Sequence, residues 1–126
     1  MNIANEVAYR GSCPRLSVGC IITKNNRIIA TGYNGAPPGC NTCFESGCII
    51  ENNHCKRAVH AEANAICHAV SELKNSTLYI TAEPCPNCLL LIIAKGVSRV
   101  VYRDEKNDRC NLALVNECGL IVERLI

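Results

Sequence analysis

From residue 60 onward the chain alternates helical and extended apolar patterns, and this alternation constrains the fold more than any other feature. HAEANAICHAVSEL (60–73) places Ile66, Ala69, Val70 and Leu73 at helical spacing. TLYIT (77–81) is an apolar strand that Pro84 stops, and CPNCLLLIIAK (85–95) is an apolar helix that Gly96 terminates. RVVY (99–102) is a further strand, LALVNEC (112–118) a weaker helix ending at Gly119, and LIVERLI (120–126) a last strand. Strands separated by helices need crossover connections, which make them parallel neighbours. Ahead of them, VGCIIT (18–23) and RIIATGY (27–33) read as a hairpin turning at Lys24, Asn25 and Asn26, and IANEVAYR (3–10) as a short helix. The expected fold is α/β: a mixed five-stranded sheet flanked by helices, in one domain over 1–126.

The core of such a sheet must be aliphatic, because 48% of the chain is hydrophobic yet it has no tryptophan and a single phenylalanine. A formal charge of +2 is too small to argue for duplex nucleic acid or an anionic membrane, and leaves a small anionic substrate open. The first residues show no basic run followed by an apolar stretch, and no apolar run approaches the roughly 20 residues that span a bilayer. The expected setting is a reducing, cytoplasmic one. There, 11 cysteines, an odd number, point to metal ligation rather than a disulfide framework.

Cys85 and Cys88 stand three apart at the start of the apolar helix, with Pro84 and Pro86 beside them. That spacing puts both sulfurs on one face, where free N–H groups favour thiolates. His60 supplies a third ligand, and Glu62 follows at i+2. In mid-helix those two side chains would diverge, so His60 must sit at the helix start. Three protein ligands leave a tetrahedral zinc one position for water, whose pKa the metal brings toward about 7. Either motif alone says little. Together they match the H-x-E…P-C-x-x-C pattern of zinc nucleobase deaminases.

Residues 34–57 are rich in glycine and proline and hold Cys40, Cys43, Cys48 and Cys55. A loop this long is functional or cross-linked. Its C-x4-C-x6-C spacing is looser than that of zinc fingers, so a metal site and a set of reduced thiols are both open. Cys20, Cys67 and Cys118 fall in regular elements and Cys110 in a loop, and these read as structural.

The stretches CPRLSVGCII (13–22), GYNGAPPG (32–39), HCKRAVHAEANAI (54–66), TLYITAEPCPNC (77–88) and LIIAKGVSRVVY (91–102) resemble the deoxycytidylate (dCMP) deaminases of the cytidine deaminase superfamily. The resemblance implies a cytidine-deaminase-like three-layer fold and zinc-dependent hydrolysis of dCMP to dUMP and ammonia, which supplies dUMP for dTTP synthesis. Catalytic zinc would rest on His60, Cys85 and Cys88, and Glu62 would carry the proton from water to the cytosine N3 and to the leaving amine. It also implies a second, structural zinc, carried by some family members, on Cys13 and Cys43; the other two ligands vary in the family, and Cys48 and Cys55 are the choice here, with His54 as the alternative to one of them. Asn34 and Ala61 are the implied contacts to substrate, and Arg15, Arg57 and Tyr102 the candidates for its phosphate. Family members are commonly homohexamers, activated by dCTP and inhibited by dTTP. Glu83, before Pro84, departs from the pattern, which implies an apolar or small residue there.

Three alternatives stand beside this reading. A deaminase acting on dCTP, cytidine, a guanine-type base or tRNA adenosine would share the motifs, and the weak charge opposes a large RNA partner. A non-catalytic zinc module would not need Glu62. A CxxC oxidoreductase is opposed by the proline inside the motif and by the lack of an early strand–CxxC–helix unit.

Overall fold

The computed structural model describes residues 1–106 and 112–125, so Cys110 lies outside the described residues. Helix α1 (Asn2–Ala8) precedes a hairpin of β1 (Gly19–Lys24) and β2 (Arg27–Tyr33). Its turn residues, Asn25 and Asn26, take φ of 53° and 61°, the left-handed pair that suits the twist of a tight hairpin. Then come α2 (Cys43–Ser46), the two-residue strands β3 (Ile50–Glu51) and β4 (His54–Cys55), α3 (Ala61–His68), β5 (Thr77–Ala82), α4 (Pro86–Ala94), β6 (Arg99–Asp104), α5 (Leu112–Cys118) and β7 (Ile121–Arg124).

The main sheet has five strands in the order β2-β1-β5-β6-β7. β1 pairs antiparallel with β2 and β5, whereas β5, β6 and β7 run parallel, which makes the sheet mixed. Ile22, Leu78, Ile80, Leu89, Ile92 and Val100 are fully buried and fill the core between sheet and helices. Aliphatic side chains do this work alone, as the composition requires.

Two glycines let helices rest directly on the sheet. A Cβ on Gly19 would lie 2.0 Å from the Ala4 carbonyl oxygen of α1, and one on Gly32 would lie 2.3 Å from the Ala61 carbonyl oxygen of α3. Gly32 is paired with Cys20, the neighbour of Gly19, so α1 and α3 lie on opposite faces of the sheet. α3 also packs against α4.

The helix expected over 60–73 is shorter. It ends at His68, because Ala69 is extended (φ −62°, ψ 133°). The chain must return to the edge where β5 begins, and it is Leu73, held by a turn to Ser76, that enters the core. Val70 is 88% exposed despite its helical spacing. The 34–57 segment is not bare loop. Thr42 and Glu45 cap α2 reciprocally, and Asn52 and Asn53 (φ 50° and 65°) turn the β3–β4 hairpin. The T-x-x-E signature of that capping box stands in the sequence at Thr42 and Glu45.

Candidate metal centre and substrate cavity

Gly35 and Val59 exchange backbone hydrogen bonds of 3.1 and 2.8 Å, and this bridge delivers His60 to the start of α3. His60 is the N-cap, with extended backbone (φ −64°, ψ 151°), so its ring and the Glu62 carboxylate turn to the same side. The Asn64 amide donates to the Tyr33 carbonyl (2.8 Å) and ties the helix to β2. Across the gap, Cys85 caps α4, Pro86 opens it and Cys88 follows in the first turn.

His60 Nδ1 lies 3.5 Å from Cys85 Sγ and 3.3 Å from Cys88 Sγ. Tetrahedral zinc, with Zn–S of about 2.3 Å and Zn–N of about 2.0 Å, holds its nitrogen and sulfur ligands roughly 3.5 Å apart. The three donor atoms all lie within 4.8 Å of one another, so this donor set fits zinc. Glu62 is 2% exposed; its Oε1 is 3.9 Å from His60 Nδ1, and its buried Oε2 has no hydrogen-bond partner among the described residues. A buried carboxylate oxygen without a protein partner calls for a group brought from outside the chain.

The electrostatics fit the same ligand. A hydrogen bond from Cys88 is the largest influence on Cys85; with His60 it overcomes burial and brings that thiol down to about 3. The same bond, together with burial, pushes Cys88 up. Two close sulfurs therefore share one negative charge until a cation lets both ionise. Hydrogen bonding to Cys85 raises the His60 pKa against the opposing effect of burial. Burial raises Glu62 above the usual carboxylate range, although its own backbone N–H, His60 and Lys106 pull the other way.

Cys43, Cys48 and Cys55 form a second group whose sulfurs lie within 4.8 Å of one another. Cys43 and Cys55 are 3.6 Å apart, near the roughly 3.8 Å that two sulfurs take on tetrahedral zinc. Burial pushes Cys43 up to about 12. Burial also acts upward on Cys55, but backbone bonds from Ala58, Arg57 and Ile49 prevail and lower it to about 6. Cys13 is buried nearby, close enough for its charge to act on Cys48, yet its sulfur falls outside the three-sulfur group. His54 is also outside it. In β4 it pairs across from Glu51 while Cys55 pairs across from Ile50, and neighbouring strand residues face opposite ways.

A cavity of about 730 Å³ opens between the two groups, and Cys13, Arg15, Asn34, His54, Cys55, His60, Ala61, Glu62, Cys85 and Lys106 are in its wall. Asn34 Oδ1 accepts the Val18 N–H (2.8 Å) and its Nδ2 donates to the Leu16 carbonyl (2.6 Å). One further hydrogen and one lone pair of that amide are left for a ligand. Arg57 is not in the wall: its guanidinium donates to the Gly47 (2.8 Å) and Asn41 (3.5 Å) carbonyls and holds the cysteine loop closed. Tyr102 is not in the wall either. It sits in β6, between Ile80 and Arg124, and packs against the core. Lys106, not among the candidates read from the sequence, does line the cavity. It follows the β6 pattern by two residues in a polar stretch, and nothing in that stretch marks it out.

Residues 1–104 match the family of the cytidine and deoxycytidylate deaminase zinc-binding region. The chain is 37% identical over 123 residues to ComE operon protein 2 of Bacillus subtilis strain 168, an alignment covering 94% of this chain and 65% of that protein. It is 42% identical over 125 residues to the deoxycytidylate deaminase of Mycobacterium phage D29, covering 83% of this chain and 91% of that one. The chain thus spans just under two thirds of the first relative's length. The crystal structure of dCMP deaminase from the cyanophage S-TIM5, in complex with dCMP and dUMP, superposes with a TM-score of 0.86 at 31% identity, over 98% of this chain and 92% of that one.

Proposed function

This chain belongs to the cytidine and deoxycytidylate deaminase family, and on that premise we propose that it is a zinc hydrolase that deaminates dCMP to dUMP and ammonia. The observation that carries this reading is the buried, unpartnered Glu62 Oε2 beside the His60–Cys85–Cys88 donor set, at the floor of a cavity with Arg15 and Lys106 in its wall.

Zinc held by His60, Cys85 and Cys88 supplies a Lewis acid that brings the pKa of water toward about 7. Glu62 would accept a proton from the water that attacks C4 of cytosine and pass it to N3, then take the remaining proton of the new C4 hydroxyl and deliver it to the amine as the C4–N4 bond breaks. Asn34 and Ala61 hold the nucleoside, and Arg15 meets its charged end.

Cys43, Cys48 and Cys55, with Cys13 completing the set, hold a second zinc whose part is to fix the cysteine-rich loop. The described residues pack around one core, which supports reading 1–126 as a single deaminase domain. Among the described residues no helix is long and apolar enough to cross a membrane. A cytoplasmic setting, a role in supplying dUMP, a homohexamer, activation by dCTP and inhibition by dTTP belong to the same reading and rest on resemblance.

Ammonia release from dCMP, dCTP, deoxycytidine and cytidine, each with and without added dCTP or dTTP, tests it. Turnover fastest on dCMP supports the reading. Turnover fastest on a nucleoside or triphosphate overturns the substrate, and none on any of the four overturns the reaction.

A further inference from the structure

Glu83 takes no part in the chemistry above, yet it is only 5% exposed. A carboxylate is costly to bury unless it is hydrogen-bonded. Its Oε2 accepts the backbone N–H of Lys106 at 3.3 Å, and its own N–H donates to the Asp104 carbonyl at 2.8 Å. Residue 83 thus grips the chain twice as it leaves β6, at positions 104 and 106. Between them, Glu105 turns away and its carboxylate pairs with Arg124 at 3.1 Å. The grip falls where the backbone has left the sheet ladder, whose last β5–β6 pair is Ala82 with Asp104.

Lys106 is half-buried in the wall of the cavity that also holds Arg15 and Glu62. Its ammonium is near enough to act on both Glu62 and His60. Neither Arg15 nor Lys106 forms an ion pair with another described residue. Among the residues of the wall, Glu62 is the lone carboxylate. A flexible lysine gains selectivity for an anion when its backbone is fixed, because less freedom is lost on binding.

We propose that Glu83 is a positioning residue that fixes Lys106 in the cavity wall, where the Lys106 ammonium recognises the phosphate of a nucleoside monophosphate. This rests on the deaminase reading of the cavity and adds the residues that set its preference for a charged substrate. On Lys106, Glu83 acts through its acceptor oxygen, since the group it meets there is a backbone N–H.

The test is steady-state ammonia release by the zinc-loaded enzyme from dCMP and from deoxycytidine, for Glu83→Leu, Glu83→Gln, Lys106→Met and the Glu83→Leu/Lys106→Met double variant. In Glu83→Leu and Lys106→Met the ratio of kcat/KM for dCMP over deoxycytidine falls at least about tenfold, as expected for a lost charge-assisted contact, with the loss in KM for dCMP. Glu83→Gln keeps the wild-type ratio because its amide oxygen still accepts the N–H. The double variant loses no more than Lys106→Met alone. The proposal is overturned by a Glu83→Leu ratio equal to wild type, by an equal fall for both substrates, or by Glu83→Gln matching Glu83→Leu. If wild type releases no ammonia from either compound, the deaminase reading fails and calorimetric titration with dCMP and deoxycytidine decides. Tighter dCMP binding that Glu83→Leu abolishes supports the positioning role, and equal binding of the two compounds refutes it.

Discussion

Gly32→Ala is the substitution that most directly tests how the fold builds the site. Gly32 lies in β2, beneath the first turn of α3. A Cβ there would stand 2.3 Å from the Ala61 carbonyl oxygen and 2.4 Å from the Ala65 nitrogen, against about 3.4 Å for ordinary contact. Both are backbone atoms, so no side chain can swing aside. The helix must lift by about 1 Å, and it carries His60, Ala61 and Glu62 with it, while Cys85 and Cys88 stay on α4. Overpacking of this kind costs about 1–3 kcal/mol, and for a chain of this size about 2 kcal/mol lowers Tm by roughly 6–12 °C. A displacement of about 1 Å in a catalytic group costs on the order of 100-fold in rate. Three measurements separate the effects: Tm by calorimetry, zinc per chain by elemental analysis, and kcat on dCMP. The expected variant is folded, weaker in zinc retention and slower by about two orders of magnitude. A Gly32→Ala protein with wild-type zinc content and wild-type kcat would show that the α3–β2 approach does not set the site.

Glu62→Gln keeps its shape and the donor set but cannot take a proton; zinc content stays at the wild-type value and kcat falls by about 10²–10⁴, so undiminished ammonia release removes Glu62 from the reaction. Elemental analysis of the wild-type protein returns two zinc ions per chain, and Cys43→Ser returns one; a wild-type value near one leaves the three loop sulfurs as thiols. Val70→Asp changes stability by no more than about 0.5 kcal/mol by denaturant melts, because Val70 is 88% exposed, whereas a larger loss would mean that α3 runs on past His68. Arg57→Ala, which removes the donors to Gly47 and Asn41, speeds the loss of zinc from the loop to a chelator and leaves KM for dCMP unchanged; a raised KM would return Arg57 to the substrate.

The strand and helix order was legible because each element carries a local signature. Period-2 and continuous apolar runs mark the strands, Pro84 and Gly96 punctuate α4, and Asn25–Asn26 mark the hairpin. What failed has a common physical cause: it depends on where the chain must go next. Val70 and Leu73 share a helical phase with Ile66, but only Leu73 is buried, because the connection to β5 has to leave the helix first. No local pattern holds that information.

The site divides the same way. His60, Cys85 and Cys88 were legible because metal ligation demands rare residue types at fixed spacing, and two helix N-termini satisfy it with short-range geometry alone. Arg57, Tyr102 and Lys106 carry no such signature. A cation near a cavity looks the same in sequence whether it meets a ligand or a carbonyl, and only the partners decide. Gly47 and Asn41 claim Arg57, while Glu83 takes the backbone N–H of Lys106, whose side chain is in the cavity wall. The cost of burying the Glu83 carboxylate is offset in part by the N–H it accepts, and that N–H belongs to the lysine that the sequence left unmarked.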